Sequence, residues 1–187
     1  MLVKKLLNLP NPLKLEPKLR HEVLRYIILG MSDGVLFALG ILLVTLSFSV
    51  QEAVKAWIGG VVTAALTNSY GAYFAERSFE EARLYVLERH LLRSLKGTII
   101  SKKTAFKVRV RVFAAGASTL LGGLIPATLF FTLPYPFNAI AGIVLALSTL
   151  AFTGFITSRK KRVKTAFLYT GGGMLVALLT YVIGQVL

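Results

Sequence analysis

Five stretches of predominantly apolar residues, at 26–50, 56–75, 112–132, 137–157 and 165–187, leave a chain of 187 residues few ways to fold. About 20 such residues, rising about 1.5 Å each, cover the hydrocarbon core of a bilayer. Lipid offers no hydrogen bonds, so a spanning backbone must satisfy its own amides, and each stretch predicts a transmembrane α-helix. Composition agrees: 55% of residues are hydrophobic and 16% charged, whereas soluble domains run near about 45–50% and about 25%. That balance excludes a disordered chain and argues against a soluble enzyme. The expected fold is an all-α integral membrane protein with five transmembrane helices.

Charge then sets the orientation. The sequence carries 22 Lys+Arg against 8 Asp+Glu, a formal net charge of +14. Six of the basic residues precede the first stretch, ten lie between the second and third, and five lie between the fourth and fifth. Only Lys55, beside Glu52, falls on the opposite side. The excess of Lys and Arg on one side places the N-terminus in the cytoplasm. It also removes the need for a nucleic-acid partner, because basic loops flanking membrane spans account for the charge. Residues 1–25 form a basic segment whose apolar run is broken by Lys4, Lys5, Pro10 and Pro12, with no small-residue cleavage site behind it. That is not the pattern of a signal peptide. Two readings fit it, an amphipathic lead-in lying on the membrane surface and an unstructured tail. Residues 26–187 make the five-helix domain, with 76–111 as a cytoplasmic helical connection.

The second helix is expected to leave the bilayer. Residues 72–96 contain neither Pro nor Gly and are mostly good helix formers. Gly97 is the first residue suited to a C-cap. Such a helix projects about 30 Å into the cytoplasm. Pro126 falls inside the third span, where it removes a backbone hydrogen bond and bends the helix unless neighbours compensate. Leu133, Pro134, Tyr135 and Pro136 read as a short external turn. Gly122-Gly123, Gly171-Gly172-Gly173 and the Gly60, Ala64, Gly71, Ala75 stripe offer flat faces for close helix packing.

Few residues can carry chemistry. With no Cys in the chain, disulfides, iron–sulfur clusters and thiolate metal sites are excluded. His21 and His90 lie outside the spans, and no phosphate loop or nucleophile elbow occurs, so an enzymatic activity is not expected. Asp33 is the single Asp and the single carboxylate inside a span. A charge at that depth costs about 2.5–3.5 kcal/mol even on lenient insertion scales, and no basic residue in any span can neutralise it. A bland account has Asp33 bonded to Ser32 or to backbone amides near Gly34. The functional account gives it an ion or a proton. Asn68, within the polar series Thr63, Thr67, Tyr70 and Tyr73 of the second span, suits either a carbonyl ligand to a hard cation or a bond between helices. Glu76, Glu80, Glu81 and Glu88 follow at near-turn spacing. They suit collection of divalent metal, and equally ion pairing with the interleaved Arg77, Arg83, Arg89 and Arg93.

Four segments together resemble the vacuolar iron transporter family: RYIILGMSDGVLFALGILL, GAYFAERSFEEA, LLGGLIPATLFF and GGGMLVALLTYVIG, in that order. The resemblance covers nearly the whole chain from Arg25 onward. It implies a homodimer of five-span subunits exporting ferrous iron or manganese from the cytosol in exchange for protons, with the path between first and second helices. No resident cofactor is implied, because the metal is cargo. The family's first-helix aspartate falls on Asp33. Its second-helix methionine ligand falls near Asn68 and its second-helix glutamate near Gly60, so a thioether and one charge are missing here. The family's Glu-rich cytoplasmic insertion is shortened, leaving Glu80, Glu81 and Glu88 in the place of its first helix.

Transport of a divalent metal is therefore the leading expectation, with Asp33, Asn68, Glu76, Glu80, Glu81 and Glu88 as metal-facing candidates. A non-transporting membrane scaffold on the same fold, or a lipid enzyme using Asp33, are the competing classes. With no organellar targeting signal, the plasma membrane of a prokaryote is the expected location.

Overall fold

The computed structural model describes residues 17–44, 50–134, 137–158 and 160–186, all-α throughout. Among these residues five helices follow in order: α1 Pro17–Val44, α2 Val50–Leu91, α3 Ile99–Thr132, α4 Phe137–Thr157 and α5 Arg162–Val186. Four of them, α1, α3, α4 and α5, are long and apolar enough to cross a membrane. The second is not among them, because Thr63, Thr67, Asn68 and Ser69 interrupt its apolar stretch and Glu76 and Arg77 follow directly. It is the longest helix, at 42 residues, or about 63 Å at 1.5 Å per residue, twice the thickness of the hydrocarbon core.

Helix boundaries depart from the apolar edges in a consistent direction. The first helix begins at Pro17 rather than at residue 26. A proline fits the first turn, where its missing N–H would be unpaired anyway, and the following KLRHEVLR carries no breaker. Of the basic lead-in expected over 1–25, residues 17–25 are thus the first turns of α1, and residues 1–16 lie outside the described residues. The third helix begins at Ile99, thirteen residues before its apolar stretch, so Lys102 to Arg111 are helical. Thr98 caps it, its hydroxyl accepting from the Ser101 N–H at 3.4 Å. The connection over 76–111 is accordingly a helical hairpin.

The projecting helix stops at Leu91 rather than at Lys96. Leu92 takes a positive φ of 48°, and the Glu88 carboxylate accepts the Leu95 N–H at 2.6 Å, folding the chain back. Gly97, expected as the helix cap, instead supplies the second left-handed residue of the turn, φ 76°. Of the expected external turn at 133–136, Tyr135 and Pro136 lie outside the described residues. Arg159, in the fourth-to-fifth connection, does so as well.

The helix α3 is the centre of the array: half of its most apolar window is buried, against 6% for α5. It runs unbroken through Pro126. Its glycine-rich face lets α1 come within backbone contact. A methyl at Gly34 would collide with the Thr119 carbonyl oxygen, and one at Gly122 with the Met31 carbonyl oxygen. Gly171 and Gly172 have nothing near them, so the close packing expected at the GGG run is made by Gly173 alone, against Leu150.

At the end away from the hairpin, fully buried Trp57 of α2 packs with Ala38 and Leu42 of α1, Phe130 of α3 and Ala139 of α4. Its indole N–H donates to the Gly123 carbonyl at 3.0 Å. Burial of so large a ring with its donor satisfied contributes on the order of 3–5 kcal/mol. A second cluster, Val35, Leu39, Ala146 and Leu150, joins α1 to α4.

Candidate functional site

Two polar centres lie where α1, α2 and α3 meet. The first is built on Asp33, half-buried in α1. The Asn68 amide of α2 donates to Asp33 Oδ2 at 3.0 Å and to Thr119 Oγ1 of α3 at 2.9 Å. The Thr119 hydroxyl spends its own hydrogen on the Ala115 carbonyl at 2.9 Å. Its oxygen must therefore accept from Asn68, which fixes the orientation of the amide. Both N–H groups of Asn68 are used within the protein, and its carbonyl oxygen is the atom left for another partner. Ser32, considered as a partner for Asp33, donates instead to the Ile28 carbonyl at 2.9 Å.

Among the described residues Asp33 is thus matched to a neutral amide and not to a cation. A hydrogen bond offsets part of the cost of holding a carboxylate in an apolar helix, but leaves its charge uncompensated.

The second centre lies eleven residues back along α1, about 16 Å away at 1.5 Å per residue. Here Arg111 of α3, only 4% exposed, receives three carboxylates. Its Nη1 donates to Glu76 Oε2 and to Glu80 Oε1, the latter at 3.1 Å, and its Nη2 donates to Glu22 Oε2. The Tyr26 hydroxyl donates to the other Glu76 oxygen at 2.6 Å. Arg83 stands 3.9 Å from Glu80 at the exposed margin. A buried guanidinium loses hydration worth several kcal/mol, and charge-assisted bonds from three carboxylates replace it. The Nε of Arg111 is buried with no hydrogen-bond partner among the described residues.

Of the six candidate residues, the structure joins Asp33 with Asn68, and Glu76 with Glu80. The other two sit apart. Glu81 accepts from the exposed Arg77 at 2.7 Å, one turn away. That bond, followed by the one from Arg77 to the Tyr73 hydroxyl, raises the guanidinium above its ordinary range. Glu88 holds the hairpin turn. The glutamates of the projecting helix therefore form no single face toward a metal. Among the described residues no group of three or more His, Asp or Glu side chains is arranged to hold a metal ion. The Glu22, Glu76 and Glu80 carboxylates converge on an arginine instead.

Sequence reasoning missed Glu22, Tyr26 and Arg111. Two spacings could have found them. Glu22 and Asp33 are eleven residues apart, three helical turns, and so share a face of α1. Arg111 and Ser118 are seven apart on α3, two turns, facing the same neighbours.

No family model matches this chain. It is similar to an uncharacterized protein of Methanocaldococcus jannaschii, 28% identical over 166 residues that span 85% of this chain and 87% of that protein.

Proposed function

We propose that the protein is a membrane transporter that moves a divalent metal, ferrous iron or manganese, out of the cytosol in exchange for protons. Asp33 carries this proposal. It is a carboxylate in a helix apolar enough to cross a membrane, and its neighbour is an amide rather than a positive charge. Such a group is retained in membranes chiefly where an ion or proton visits it. Asp33 provides the negative charge and Asn68 a neutral carbonyl oxygen, both hard-cation ligands. The resemblance of four ordered segments to the vacuolar iron transporters supports the same reading. No chemical reaction is assigned.

In this proposal α2 is a fifth span, the N-terminus is cytoplasmic, and the membrane is the plasma membrane of a prokaryote. The helix α2 is too polar to face lipid on all sides, yet it exposes Ile58, Val62 and Leu66. Its Gly59 and Gly71 have open space around them. A second copy of the chain packed along this face gives a homodimer and brings a second Asp33 to a shared path.

One observation favours a different reading, a non-transporting membrane scaffold: the Asn68 amide already gives Asp33 a partner. Uptake into proteoliposomes separates the two. Manganese or ferrous iron, offered with and without a pH gradient, is expected to enter vesicles containing the unsubstituted chain and to be excluded when Asp33→Asn is present. Equal uptake by both, or none by a folded unsubstituted chain, removes transport through Asp33.

A further inference from the structure

The three helices around Asp33 are not held together in the same way. Helices α1 and α3 meet backbone to backbone: Gly30 faces the Ala115 carbonyl, Gly34 the Thr119 carbonyl and Gly122 the Met31 carbonyl. At Gly30 the Ser118 hydroxyl also lies in the contact, and at Gly34 and Gly122 a backbone carbonyl is the nearest atom, so the two helices pack closely enough to move together. Against α2 the same face of α3 meets side chains first, Ser69 at Gly116 and Val61 at Gly123. Helix α2 also touches α1 far less than α3 does.

Apolar packing of Ala53, Trp57 and Val61 holds α2 to the α1–α3 pair at the end away from the hairpin, and a small set of polar ties runs along the rest of it. Trp57 binds the Gly123 carbonyl at one end. Asn68 binds Asp33 and Thr119 midway. Glu76 and Glu80 bind Arg111 at the hairpin end, where Glu22 of α1 joins the same guanidinium. Directional bonds of this kind exist or are broken, and so define two states rather than a continuum.

The hairpin end also carries a cavity of about 580 Å³, which opens between α1 and α2 and is lined by Glu22, Arg25, Tyr26, Glu76, Arg83 and Arg111 among others. Asp33 does not line it. It lies seven residues beyond Tyr26 on α1, or about 10 Å, behind the Tyr26–Glu76–Arg111 connection. Glu22, Glu76, Glu80 and Arg111, which tie the hairpin end of α2, are all in the lining of this cavity.

We propose that Arg111, with Glu22, Glu76 and Glu80, is a latch that holds the hairpin end of α2 against the α1–α3 pair and shuts Asp33 off from the cavity. Opening the latch lets α2 swing and brings water and cation to Asp33 and Asn68. Tyr26, donating to Glu76, belongs to the latch and moves with α1. This rests on the transport proposal for Asp33, but its test does not.

The absence of cysteine allows reporters to be placed one at a time. A cysteine at fully buried Thr119 reports access to the Asp33 centre, through its rate of reaction with a water-soluble thiol reagent. Spin labels at the exposed positions Leu24 and Ser78 report the separation of α1 and α2. In a Glu76→Gln, Glu80→Gln background the Thr119→Cys reaction is expected to quicken about tenfold or more, the ratio that a loss near one charge-assisted bond gives. The label separation is expected to lengthen by about 5 Å, the scale of a one-turn shift. Arg111→Lys, which keeps the charge, is expected to fall between the two backgrounds and guards against a glutamine variant that fails to fold. Asp33→Asn is expected to leave the separation unchanged. Reaction rates and separations that are the same in all backgrounds overturn the latch. A failure of metal uptake in every background removes the transport proposal instead, and the label separation still decides the latch.

Discussion

The Asp33 centre and the Arg111 centre draw on the same three helices and differ in charge balance. At Asp33 one carboxylate is held by a neutral amide. At Arg111 three carboxylates surround one buried guanidinium. The second arrangement contains its own counter-charge and is suited to fastening helices. The first lacks one and is suited to exchange with something outside the chain. Acidity alone is therefore a poor guide to a carboxylate without a cation: in the place richest in glutamates, three carboxylates already share one guanidinium.

Substitutions can break that contrast. Arg111→Met is expected to have the largest effect on stability. It leaves Glu76 and Glu80 without the buried guanidinium they share, and removing one partner of a buried ion pair costs about 3–5 kcal/mol. Asp33→Asn keeps an oxygen to accept from Asn68 and is expected to change stability by less than about 1 kcal/mol. Thermal unfolding in detergent compares the two. A melting point lowered as much by Asp33→Asn as by Arg111→Met means that Asp33 is structural too.

Glu81→Gln sits at the small end of the scale. Its partner Arg77 is exposed, and the bond between them spans one turn of the projecting helix. Ion pairs in that setting contribute little. The substitution is expected to leave both the melting point and metal uptake at the values of the unsubstituted chain, measured in the same assays. A marked loss of uptake brings Glu81 back as a collecting group for metal.

Much of the helical order was legible because about 20 apolar residues have one stable form in lipid. The ends were not. An apolar edge marks where a membrane would stop, whereas a helix continues as long as its residues tolerate it, which is why α1 begins at Pro17 and α3 at Ile99. Asp33 and Asn68 were legible because each is a polar exception in an apolar stretch. Arg111 was hidden for the opposite reason, as the last member of a dense basic run that reads as solvated loop. Its burial depends on α3 starting early and on Glu22, 89 residues away in sequence, arriving on α1. No local pattern carries that meeting.

Calorimetric titration of the purified protein with manganese tests the difference between the centres most directly. The account predicts binding by the unsubstituted chain, loss of that binding with Asp33→Asn, and its retention with Glu80→Gln. Manganese bound equally well without the Asp33 charge, or bound only while Glu80 is intact, would contradict it.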